Sequence, residues 1–91
     1  MFIIDLHYLV PIAAIEKHIT AHRSFLDKYY EKKLFISSGP KHPRTGGVIL
    51  ATAESLELVE NIIKEDPFYI HQLASYTITC WNPNKGEMIN R

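Results

Sequence analysis

Phe2, Ile4, Leu6 and Tyr8 alternate with Ile3, Asp5, His7 and Leu9, a period of two that puts the two sets on opposite faces of a strand. The period then changes. Between residues 12 and 32 apolar side chains recur at Ile12, Ile15, Ile19, Leu26 and Tyr29 or Tyr30, and His22 fills the place between Ile19 and Leu26. That spacing predicts an amphipathic helix, with Pro11 suited to its entrance and Glu16, Lys17, Arg23, Asp27 and Lys28 on its outer face. Residues 34–38 predict a short strand ending at Gly39-Pro40, and residues 41–45 a polar loop. Gly46-Gly47 marks a bend or a close backbone approach. Residues 48–52 read as a third strand, the hairpin partner of the second. Residues 54–65 read as a second helix with Leu56, Val59, Ile62 and Ile63 inward. Pro67 stops it, because proline lacks an amide donor and disfavours helical geometry at Asp66. Residues 68–72 leave room for one short turn before a last strand over 73–81, which has Tyr76, Ile78 and Cys80 on one side and Thr77, Thr79 and Trp81 on the other.

The order β-α-β-β-α-β predicts an α+β, ferredoxin-like sandwich with helices on one face of the sheet. It occupies residues 1–83 as a single domain, followed by a polar tail over 84–91 that is a candidate arm onto a neighbour. By alternation Ile3, Leu9, Ile49 and Trp81 lie on the second face. A mixture of that kind is better covered than exposed, and sheet-to-sheet homodimerisation would cover it.

Composition sharpens this. A chain of 91 residues suffices for one domain and buries only about 60–65% of its unfolded surface, so a partner subunit would help a thin core. Ten basic and ten acidic residues give zero net charge, which argues against nucleic acid and permits self-association. Cys80 is the only cysteine; it allows no intrachain disulfide and reads as an apolar filler, since no helix start or charged neighbour activates it. The opening MFIIDLHYLV is too short and too alternating for a signal peptide, and no stretch approaches ~20 apolar residues. A soluble, cytoplasmic protein with no membrane partner is expected.

Two residues carry most of the candidate chemistry. His22 interrupts an apolar stripe. It is either a core histidine satisfied locally or a general acid/base that titrates near neutral pH. Asp66, before Pro-Phe at a helix exit, either caps the short turn at Phe68 or orients the His22 imidazole, and the two roles are compatible. Ser37-Ser38-Gly39-Pro40 is a strand exit or the rim of a pocket for a carbonyl or carboxylate, where amides near Ser38 and Gly39 would face a developing oxyanion and Arg44 would add charge. No GxGxxG or Walker pattern supports a nucleotide site. His18 and His22 have the i, i+4 spacing of a metal pair, but no HExxH pattern completes it. His42 and His71 fall in loops.

Helix-borne His22, then Ser38-Gly39-Pro40, Gly46-Gly47, Asp66-Pro67-Phe68 and an aromatic strand ending at Trp81 together resemble the YciI-like (YCII-related) family, from Phe2 to about Pro83. The resemblance implies a dimeric α/β-barrel of ferredoxin-like subunits and a pocket with a His–Asp pair, which falls on His22 and Asp66. Beside that pair Ser38, Gly39, Pro40, Arg44 and Phe68 are the substrate-binding candidates. It further implies a lyase or isomerase using neither metal nor organic cofactor. The chemistry would resemble dehydrochlorination of a chlorinated hydroxyhydroquinone, or that of muconolactone isomerase, on a cyclic or aromatic-derived metabolite. A non-catalytic ligand-binding or regulatory dimer using the same pocket is the alternative. The chain departs from the family in having Lys33 where a glycine often ends the first helix. It also has Ile19 and Thr20 where an arginine often precedes the histidine.

Overall fold

The computed structural model describes residues 1–86. Its sheet contains β1 (Phe2–Tyr8), β2 (Phe35–Pro40), β3 (Gly46–Ala51) and β4 (Ala74–Cys80) in the order β2-β3-β1-β4, with every neighbouring pair antiparallel. Helices α1 (Ile12–Glu16) and α2 (Ile19–Glu31) connect β1 to β2, and α3 (Leu56–Ile63) and α4 (Pro67–Ile70) connect β3 to β4. This is the expected ferredoxin-like α+β plan. The sheet does not close on itself.

Register explains which residues are buried. Ile4 faces Ile49 on β3 and Ile78 on β4, Phe2 faces Ala51, and Leu6 lies between Gly47 and Tyr76. This layer packs with Ile15, Phe25, Tyr29, Val59, Ile62, Ile63 and Phe68 into one core. Ile49 is therefore a core residue and not part of the second sheet face. Val48-Ile49-Leu50 is continuously apolar, so alternation could not fix its parity, and pairing with Ile4 does. The second face carries Ile3 between Leu50 and Thr79, and Asp5 between Val48 and Thr77. Asp5 is bridged there by Lys41 at 2.6 Å.

Four other expectations change. The first helix is broken at Lys17-His18, and its most buried residues are Ile15, Phe25 and Tyr29, while Ile12 is exposed. Leu56 opens α3 as an exposed residue, whereas Val59, Ile62 and Ile63 face inward. Strand β2 runs through Gly39-Pro40 instead of ending before them. Cys80 is exposed, at the last position of edge strand β4 opposite Phe2. The tail expected from residue 84 is described only as far as Gly86; its remaining residues lie outside the described ones.

Tight closures fix where the helices end. At the end of α2 the Leu34 amide donates to the Tyr29 carbonyl and the Lys33 amide to that of Tyr30. This paired closure requires a left-handed residue, which Lys33 supplies at φ 61°. Gln72, at φ 57°, closes α4 in the same way, with Leu73 donating to Phe68 and Gln72 to Tyr69. Gly46 is required for a different reason: a Cβ there would sit 1.8 Å from the Leu6 carbonyl oxygen. Among the described residues no helix is long and apolar enough to cross a membrane.

Candidate active site

Pro67 at the first position of α4 leaves Asp66 in an extended conformation, with its side chain turned back over the helix start. Asp66 Oδ1 accepts from the Phe68 amide at 3.0 Å, the expected capping bond. The same oxygen lies 2.8 Å from Nδ1 of His22. The other oxygen, Oδ2, accepts from the Tyr76 hydroxyl at 2.6 Å. Asp66 is fully buried, and a buried carboxylate is tolerable only when so satisfied. A carboxylate can only accept, so with Asp66 ionised the contact requires a proton on His22 Nδ1.

Phe68 fixes the ring plane. Its side chain stacks on His22 with centroids 4.0 Å apart and planes 5° apart, and it is almost wholly buried. Tyr76 is the member that sequence reasoning missed. It lies on the core-facing side of β4, where a buried hydroxyl needs a partner, and that parity was the available signal. Burial, followed by the neighbouring Asp66 charge, pushes the Tyr76 phenol far above its ordinary range, so it remains a donor. One residue upstream of Asp66, Glu65 accepts from Lys28 at 2.7 Å and from the Tyr29 hydroxyl at 2.6 Å, tying α2 to the α3–α4 junction. These two donors hold the Glu65 carboxyl below its ordinary value.

His22 opens onto a cavity of about 460 Å³ between α2 and the sheet. Leu6, Ile19, Leu26 and Ile49 give it an apolar floor and wall, and Tyr8, Gly47 and Val48 complete the sheet side. Ser38, Gly39, Pro40, Arg44 and Phe68 all line this cavity, so every site residue expected from the sequence except Asp66 borders one space, and Asp66 stands directly behind His22. Two of them are already engaged: the Ser38 hydroxyl shares a 2.5 Å hydrogen bond with that of Tyr30, and Arg44 donates to Glu16. Glu16 and Arg23, expected on the outer face of the first helix, also border the cavity. His18 does not join His22 about a common ion; its ring stacks on His71 at 4.3 Å. Among the described residues no group of three or more His, Cys, Asp or Glu side chains is arranged to hold a metal.

An open, four-stranded antiparallel sheet with two helical crossovers, carrying a cavity in which a helix-borne imidazole backs onto a buried carboxylate, defines a ferredoxin-like α+β domain. Within that class the assignment is specific: the YCII-related domain matches residues 1–82, and the chain belongs to that family. It is 31% identical over 70 residues to YjpA of Bacillus subtilis (strain 168), a protein described as uncharacterised, in a match covering 77% of this chain and 82% of YjpA. The fold is similar to that of 5-chloro-2-hydroxyhydroquinone dehydrochlorinase (TftG) from Burkholderia phenoliruptrix AC1100, solved in complex with 2,5-dihydroxybenzoquinone. The TM-score is 0.75 at 20% identity, covering 90% of this chain and 94% of that one.

Proposed function

We propose that this protein is a cofactor-independent lyase or isomerase that moves a proton on a small cyclic or aromatic-derived metabolite. The observation that carries the reading is the fully buried Asp66 carboxylate bonded to the inner nitrogen of an imidazole that borders the cavity. In this mechanism Nε2 of His22 takes the proton from a substrate carbon or hydroxyl. Asp66 holds the ring in one tautomer and balances the charge that develops on it. Phe68 keeps the ring plane fixed, and Ser38, Gly39 and Pro40 form the wall against which the substrate lies. Positioned proton transfer of this kind contributes about 10²–10⁴-fold in rate. The dehydrochlorinase activity named for the similar fold gives the reading a precedent on a hydroxylated ring.

A second copy packed on the exposed sheet face would cover Ile3, Val48 and Leu50 and complete an α/β-barrel, which makes a homodimer the expected working form.

A screen of chlorinated hydroxyhydroquinones and small lactones tests the proposal, read by chloride release and by deuterium uptake from heavy water. Turnover by the wild type and its loss in a folded His22→Ala variant are expected. Full activity in His22→Ala overturns the mechanism. Ligand binding without turnover in the wild type points instead to a binding or regulatory protein that uses the same cavity.

A further inference from the structure

The cavity wall carries more charge than a proton relay requires. Glu16 ends α1, Arg44 lies in the β2–β3 loop, Arg23 follows His22 on α2, and all three border the cavity. Arg44 Nη1 donates to Glu16 Oε1 at 2.5 Å, joining α1 to the β2–β3 loop. Arg23 makes no ion pair among the described residues. Two guanidiniums against one carboxylate leave an excess positive charge beside an otherwise mainly apolar space.

The Arg44–Glu16 pair is also easily exchanged. Both side chains are more than a third exposed, and exposed pairs contribute little because water and salt screen them. A guanidinium presents a planar fork that matches a planar carboxylate. A carboxylate on a ligand inside the cavity would therefore compete with Glu16 for Arg44, with Arg23 on the same cavity border. A neutral ring would lack this charge-assisted, bidentate contact.

We propose that the cavity selects substrates bearing a carboxylate, and that Arg44 leaves Glu16 to bind it together with Arg23. Glu16 and the substrate's carboxylate are then alternative partners of Arg44. This rests on the proton-transfer reading only in taking the same cavity as the substrate site.

The test is calorimetric binding of benzoate and its neutral isostere benzamide to the full chain. Wild type is expected to favour benzoate by about tenfold or more, a preference that shrinks with added salt. Arg44→Gln abolishes the preference, and Arg23→Gln reduces it. Glu16→Gln tightens benzoate several-fold and leaves benzamide unchanged, because the competing carboxylate is gone; a merely structural clasp would move both ligands the other way. Equal affinity for the two ligands in wild type, no detectable benzoate binding, or weaker benzoate binding in Glu16→Gln overturns the proposal. The carboxylate preference is read by binding and the proton transfer by turnover, so failure of one and failure of the other show up in different measurements.

Discussion

Phe68 and His22 are joined twice. The Phe68 ring lies flat on the imidazole, and the Phe68 amide donates to the same carboxylate oxygen that meets His22 Nδ1. One residue thus sets both the plane of the histidine and the position of the acid behind it.

Phe68→Leu separates these functions, since the amide bond survives and the stacking does not. Replacing one large apolar core residue by another is expected to cost about 1–2 kcal/mol in urea unfolding. On the proposed mechanism turnover should fall by roughly tenfold to a hundredfold, because a slightly misplaced proton-transfer group is costly. A variant that loses stability but keeps its rate would show that packing elsewhere suffices to orient His22.

Tyr76→Phe removes only the donor to Asp66 Oδ2. An under-satisfied buried acceptor costs about 1–3 kcal/mol, readable as a lower denaturation midpoint. The variant should keep the proton on His22 Nδ1, as seen by nitrogen NMR, and on the proposed mechanism slow turnover without changing substrate affinity. An unaltered midpoint would mean that water replaces the hydroxyl.

Stability should fall at both ends of the pH range. Lys28 and Tyr29 hold Glu65 below its ordinary 4.5, so its contribution is complete above that pH and is lost as pH falls through the lowered folded-state value. Tyr76 sits above its ordinary 10.0 because of burial and then Asp66. Its contribution is complete below about pH 10 and declines as the unfolded chain ionises first. Glu65→Gln is expected to flatten the acid limb of the stability profile and leave the alkaline limb in place.

Lys33→Gly relieves a non-glycine residue at φ 61°. A left-handed conformation costs an ordinary residue about 1–2 kcal/mol, partly offset by the greater freedom of glycine in the unfolded chain. A net gain of roughly 0.5–1 kcal/mol is expected, visible as a higher midpoint in urea. Lys33→Val should move the midpoint the other way, since a β-branched residue is poorly accommodated there.

Much of this arrangement was legible in the sequence, for identifiable reasons. Strand β1 alternates cleanly, so its buried face could be read directly. Asp66-Pro67-Phe68 has only one easy backbone solution, which is a capped short helix. His22 stood out because the stripe around it is apolar. Ile49 was misplaced because an uninterrupted apolar run contains no parity information; only Ile4 across the ladder supplies it. The break at Lys17-His18 has no proline or glycine to announce it. Tyr76 and Glu16 escaped because their roles depend on partners 10 and 28 positions away, and no local pattern records such distances.

The three donors to Asp66 come from α2, from the first turn of α4 and from β4, segments drawn from both halves of the chain. The acid therefore cannot be assembled in pieces. An opening that frees any one of these segments strips a hydrogen bond from the carboxylate, and the imidazole loses its orientation in the same event. The geometry of the site and cooperative folding then share one lifetime, and amide exchange at Phe68 should report both.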